Sequence, residues 1–180
     1  MRDEYENDDW LKHVCQTNAF GLFRFIREAR KVFLPKNDGC IITISSVNGD
    51  RPFCGASYPS SKGAINTLAR KVAMRLIDTN IRINAVAPGA TVTPAHPANK
   101  AGDQPGGAKM PEYSKHFACF PGPERDPMDQ ANACPFLASD MGRRVKGQVS
   151  GLQRRISVKV RTAVNLIVEK KGCVHIEKTN

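Results

Sequence analysis

Residues 40–62, CIITISSVNGDRPFCGASYPSSK, decide the reading of this chain. Cys40-Ile41-Ile42-Thr43-Ile44 is a short β-branched run of the kind that parallel sheets bury on both faces, and it ends at Ser45-Ser46. A loop containing Gly and Pro follows. Apolar residues then return at helical spacing over 57–78, at Ile65, Leu68, Ala69, Val72, Ala73, Leu76 and Ile77, and Thr79-Asn80 closes that helix. A second short strand, Ile81 to Ala87, stops at Pro88-Gly89. Strand, helix, strand is a βαβ unit, so the two strands should lie parallel, joined by a right-handed crossover.

Upstream, residues 9–34 place Leu11, Val14, Leu22, Phe25, Ile26, Ala29 and Phe33 on one stripe, which predicts an amphipathic helix ended by Asn37-Asp38-Gly39. Asn18 falls on that stripe, where an amide needs hydrogen-bond partners. Downstream, residues 90–127 are rich in Pro, Gly and polar side chains and have no sustained period, as expected of a long binding segment or lid. Asp126-Pro127 offers a helix start and 129–141 a short helix, with Pro135 inside it as a potential break. The alternating runs Ile156–Val160 and Leu166–Ile176 suggest a strand pair. No internal repeat is visible.

The 180 residues and 41% hydrophobic content suit one domain. No apolar run is long enough to span a bilayer and the first ten residues are acidic, so a cytoplasmic protein is expected. The formal charge of +10 would ordinarily raise nucleic acid as a partner, but seven basic against two acidic residues lie in the last thirty, so the excess concentrates in a tail. Nucleic-acid binding is therefore not expected. Cys15, Cys40, Cys54, Cys119, Cys134 and Cys173 contain no CxxC pair and read as reduced thiols. His13, His96, His116 and His175 show no metal-ligand spacing, and no metal site is expected.

The chemistry-bearing signal is Tyr58 with Lys62. Residues four apart share a helix face, and a nearby cation favours the ionised form of a phenol, which otherwise titrates near pH 10. That is a route to an acid/base tyrosine. The pair alone also fits an ordinary exposed helix pair. Context adds Ser46 at the strand end twelve residues before Tyr58, Asn18 twenty-eight residues before Ser46, and Asn84-Ala85-Val86-Ala87-Pro88-Gly89 ending the next strand. Together these resemble the short-chain dehydrogenase/reductase family, over roughly residues 9–149.

The resemblance implies an α/β, Rossmann-like, doubly wound parallel sheet, a nicotinamide cofactor (NAD or NADP) and a small alcohol or carbonyl substrate. In that reading Tyr58 transfers the proton to or from the substrate oxygen and Ser46 hydrogen-bonds the same oxygen. Ser45 is the alternative, since adjacent strand residues face opposite ways. Lys62 would assist Tyr58 and hold the nicotinamide ribose, and Asn18 would keep a water in a relay to Lys62. Pro88, Gly89, Thr91 and Thr93 would line the nicotinamide side, and 94–127 would be the substrate loop. The family's front half, with its glycine-rich turn and first four strands, has no counterpart here, and residues 150–180 diverge as a basic tail. The expected fold is thus partial, with the strand at 40–44 left open on one edge and prone to self-association. Two further expectations follow. Activity should be weak or absent in this chain alone, and the helices at 9–34 and 57–78 should mediate homo-oligomerisation or pairing with full-length relatives.

Overall fold

A computed structural model of the protein describes residues 7–51, 55–89, 91, 126–152, 165–168 and 174–177. The chain enters through α1 (Asp8–Cys15), a π-helical turn (Gln16–Phe20) and α2 (Gly21–Phe33). The Asn7 side chain caps α1 by accepting the Trp10 N–H at 2.9 Å, and Asp8 and Asp9 complement the positive end of the helix dipole. The predicted helix at 9–34 is therefore present but not uniform. The extra residue of the π turn rotates α1 against α2, so no single stripe runs their length. Val14 and Ile26 are buried, whereas Leu11 and Phe25, expected on the same stripe, are exposed.

Strand β1 (Gly39–Ile44) is followed by a 3-10 turn (Val47–Gly49), helix α3 (Ser57–Arg75) and strand β2 (Ile81–Pro88). β1 and β2 pair in parallel, Gly39 with Ile81 through Ile44 with Val86, as the βαβ pattern requires. Pro59 falls in the first turn of α3, where its missing N–H has no helical acceptor to lose. Ile65, Ala69, Ala73 and Leu76 are buried, but Ile77, expected on the same face, lies beyond the helix end and is 60% exposed. That end is closed by Lys146, whose ammonium donates to the carbonyls of Leu76 at 2.7 Å and Thr79 at 2.8 Å.

Two short helices, α4 (Pro127–Ala131) and α5 (Ala133–Ala138), and a 3-10 turn (Asp140–Gly142) stand where one helix was expected over 129–141. The break at Asn132 restarts the helix so that Pro135 falls in the first turn of α5, which removes the conflict with its missing N–H. The Arg82 guanidinium holds this element against the sheet, donating to the carbonyls of Leu137, Ala138 and Gly142. Strand β3 (Val149–Leu152) then joins β2 in parallel, giving the order β1-β2-β3, with β1 at an edge among the described residues.

The core cluster joins Ile26 of α2, Ile41 of β1, Ala69 and Ala73 of α3, and Ile83 and Ala85 of β2 on one face of the sheet. Cys40 and Arg82, at alternate strand positions, meet α5 on the other face. Helices on both faces of a parallel sheet make this a Rossmann-like α/β fold. Asn84, fully buried in the central strand, donates to the Val145 carbonyl at 2.9 Å and accepts the Gln148 N–H at 3.0 Å, which guides the chain into β3.

Beyond residue 152, β4 (Asn165–Val168) and β5 (Val174–Glu177) pair antiparallel, Asn165 with Glu177 through Val168 with Val174. The strand expected at Ile156–Val160 lies outside the described residues. Among the described residues no helix is long and apolar enough to cross a membrane.

Candidate active site

Parallel pairing sends the carboxyl ends of β1 and β2 to the same end of the sheet, so Ser45-Ser46 and Pro88-Gly89 meet there. This is also where α3 begins with Tyr58, since the crossover leaves the carboxyl end of β1. Clefts outside the carboxyl ends of parallel strands are where open α/β sheets take their ligands.

The two serines divide their work. Ser45 is 3% exposed, and its hydroxyl donates to the Lys62 backbone carbonyl at 3.0 Å, pinning the first turns of α3 to the end of β1. Ser46 keeps extended backbone and caps the 3-10 turn, its Oγ accepting the Asn48 N–H at 3.2 Å. In that contact Ser46 only accepts, so its own proton is not consumed by it. The turn sits hard against α3. A Cβ on Gly49 would fall 2.8 Å from the Lys62 carbonyl carbon and 2.9 Å from the Gly63 nitrogen, an approach that glycine permits.

Tyr58 is 38% exposed, and the Lys62 ammonium lies 5.6 Å from the centroid of its ring. The same ammonium donates to the Ile44 carbonyl at 3.2 Å. Burial of the lysine stem holds its pKa below the usual lysine value of 10.5. Asn18 lies in the π turn, half-buried, and its amide donates to the Ser61 hydroxyl at 3.0 Å, which donates in turn to the Tyr58 carbonyl at 2.8 Å. Asn18 is thus tied through its amide nitrogen to the turn of α3 that carries the tyrosine.

At the end of β2 the Gly89 N–H donates to the Leu152 carbonyl at 3.2 Å, and the Thr91 hydroxyl donates to the Gly89 carbonyl at 3.0 Å. Thr93 and residues 94–125 of the expected substrate loop lie outside the described residues. The structure brings Tyr58 and Lys62 together, sets Ser46 on the turn packed against their helix, and links Asn18 to the same helix through Ser61. Ser61, 1% exposed, was not among the expected site residues. Its position three residues after Tyr58, in the same helical turn, was the available signal.

The profile of a family described as enoyl-(acyl carrier protein) reductase matches residues 3–152. A 3alpha-hydroxysteroid dehydrogenase of Mediterraneibacter gnavus is 35% identical over 151 residues, spanning 81% of this chain and 55% of the relative. This chain belongs to the short-chain dehydrogenase/reductase family. A 2,3-dihydro-2,3-dihydroxybenzoate dehydrogenase of Escherichia coli is 29% identical over 142 residues, 77% of this chain and 57% of that one.

Among solved members of the family, a 4-hydroxyisoleucine dehydrogenase complexed with NADH and succinate superposes with a TM-score of 0.67 at 27% identity, over 82% of this chain and 58% of that structure. A 3-oxoacyl-[acyl-carrier protein] reductase from Brucella melitensis with bound NAD gives 0.66 at 26% identity, over 82% and 52%. The chain spans about half the length of the curated relatives it matches.

Proposed function

We propose that this chain carries the proton-transfer half of a nicotinamide-dependent oxidoreductase that interconverts an alcohol and a carbonyl. The observation that carries the reading is the Lys62 ammonium 5.6 Å from the Tyr58 ring, at the end of the sheet where Ser46 and Pro88-Gly89 converge. In the oxidative direction the Tyr58 oxygen takes the hydroxyl proton as the carbinol C–H bond gives up its hydride, and in reduction it returns that proton to the carbonyl oxygen. Ser46 donates a hydrogen bond to the same oxygen and holds it opposite the phenol. Lys62 stabilises negative charge on the Tyr58 oxygen, and Asn18 acts from the π turn on the helix that bears both.

The residues at the strand ends fit the nicotinamide end of a dinucleotide: Lys62 and Tyr58 offer donors to ribose hydroxyls, and Pro88, Gly89 and Thr91, with Thr93 beyond, border the same end of the sheet. When bound, that cofactor supplies the hydride acceptor or donor. The relatives are a 3alpha-hydroxysteroid dehydrogenase and a 2,3-dihydro-2,3-dihydroxybenzoate dehydrogenase by name, which supports an alcohol or carbonyl substrate. Because the match spans about half of each relative, affinity for the dinucleotide should be weak in this chain alone.

Titration of NADH fluorescence with the purified chain, followed by a dehydrogenase assay, tests the proposal. Saturable binding lost in Lys62→Ala and weakened in Tyr58→Phe, with turnover lost in Tyr58→Phe, are the expected results. Binding indifferent to both substitutions would sink it. A second reading is favoured by the large apolar side chains left exposed on two helices, Trp10, Phe20 and Phe23 on the α1–α2 unit and Met74 on α3. It is association with full-length members of the family, or with itself, through the helices at 9–34 and 57–78. Co-purification with such a member at equal strength in Tyr58→Phe would support it.

A further inference from the structure

Helix α3 starts without a side-chain cap. The residue at its N-cap position, Ala56, is itself helical and offers no side-chain hydrogen bond to the first turn. Helix ends fray, and Tyr58 lies in this one. The turn is fastened from its flank instead. Two serine hydroxyls reach main-chain carbonyls one helical turn apart: Ser61 donates to the Tyr58 carbonyl at 2.8 Å, and Ser45 donates to the Lys62 carbonyl at 3.0 Å. Ser61 is 1% exposed, so bulk water does not compete for its hydroxyl.

A serine hydroxyl has a single proton, and Asn18 decides where this one goes. The Asn18 amide nitrogen donates to the Ser61 oxygen at 3.0 Å, which occupies a lone pair and leaves the proton for the Tyr58 carbonyl. Both hydrogen bonds run in one direction, so each polarises and strengthens the other. Asn18 belongs to the π turn between α1 and α2, so the relay joins a separate helical unit to the turn that carries the phenol. We infer that Ser61 is a positioning residue for Tyr58: with its proton directed by Asn18, it holds the first turn of α3 so that the phenol stays beside the Lys62 ammonium. The Asn18 side chain thereby has a task separate from the water relay to Lys62 that the family resemblance implies. The inference rests on the reading of Tyr58 as the proton-transfer group.

Two readouts on the purified chain test this without dinucleotide or turnover. Incorporated meta-fluorotyrosine gives Tyr58 a fluorine resonance, identified as the signal missing from Tyr58→Phe. In the parent, Lys62→Met should move that resonance, because it removes the cation 5.6 Å from the ring centroid. In a Ser61→Ala background the same substitution should move it less, since the ring no longer keeps its place. The second readout is the Lys62 amide, which helical pairing directs to the Tyr58 carbonyl. It should exchange with deuterium about tenfold faster in Ser61→Ala, the effect of one lost hydrogen bond. Asn18→Asp is the sharper variant: its carboxylate only accepts, so it draws the Ser61 proton away from Tyr58 and should reproduce both effects with Ser61 in place. Added to Ser61→Ala, it should change the Lys62 amide no further. Ile65→Val, a core change one turn further along α3, should leave both readouts at parent values. A Tyr58 resonance that answers Lys62→Met equally in the parent and in Ser61→Ala would overturn the inference. So would additive effects of Asn18→Asp and Ser61→Ala on the amide, or an Ile65→Val variant that matches Ser61→Ala on the ring signal. Should Ser61→Ala lose its helical circular dichroism, Asn18→Asp decides alone on the same two readouts. The NADH titration and dehydrogenase assay test a different statement, so failure of this relay and failure of the oxidoreductase reading are distinguishable.

Discussion

Lys62 meets three demands with one ammonium: it lies over the Tyr58 ring, it caps the Ile44 carbonyl, and it is partly withdrawn from water. Burial dominates its titration and lowers its pKa from 10.5. The sign of the consequence follows from linkage. Between the lowered native pKa and 10.5 the unfolded chain binds more protons at this lysine than the folded one, so folding stability gains as pH rises through that window. The difference in urea-unfolding free energy between the parent and Lys62→Met should therefore move in the parent's favour on the alkaline side and stay level below it. A difference that is flat throughout, or moves the other way, would contradict the assignment. At this scale spacing singled out Tyr58 and Lys62 only together with Ser46, Asn18 and the stretch from Asn84 to Gly89, since the pair alone also fits an ordinary exposed helix pair. Ser45 and Ser46 are the same type at the same strand end, so their different contacts, Ser45 donating to the Lys62 carbonyl and Ser46 accepting the Asn48 N–H, are not legible in the sequence.

Elements hold the site through contacts that pattern does not predict. The turn at Val47–Gly49 is seated on α3 at Gly49, where a Cβ would meet the Lys62 and Gly63 backbone at 2.8 and 2.9 Å as well as the Asn66 side-chain amide at 2.9 Å, so moving that side chain alone makes no room. Gly49→Ala should shift the turn, cost roughly 1–3 kcal/mol in chemical denaturation, and weaken any dinucleotide binding more than a distant core change of equal cost. Equal effects on binding would assign Gly49 to stability only. The π turn at Gln16–Phe20 was invisible to a 3.6-residue period, which is why Leu11 and Phe25 were expected inside and are found outside. Pro135 was correctly suspected of breaking its helix. The cure, a restart at Asn132, depends on how α5 meets Arg82.

For the molecule as a whole, the core is one body: Ile83 of the central strand touches a cluster drawn from α2, β1, α3 and β2. Ile83 has no exposed surface, so Ile83→Ala should cost about 2–5 kcal/mol and lower a single cooperative transition by calorimetry or circular dichroism. Separate transitions for the helices and the sheet would show that the described part is not one folding unit. Strand, helix and strand, their parallel pairing and the carboxyl-end placement of Ser46, Tyr58 and Lys62 were all determined by the sequence itself. Hydrophobic period, β-branching and turn residues are local properties, and a right-handed crossover follows from chirality. Only the tertiary structure decided which serine is committed to α3, where Asn18 finds its partner, and which carbonyl the Lys62 ammonium reaches. Those are contacts between residues 17 to 43 positions apart, and hydrogen-bond geometry at such separations is set by packing rather than by any pattern along the chain.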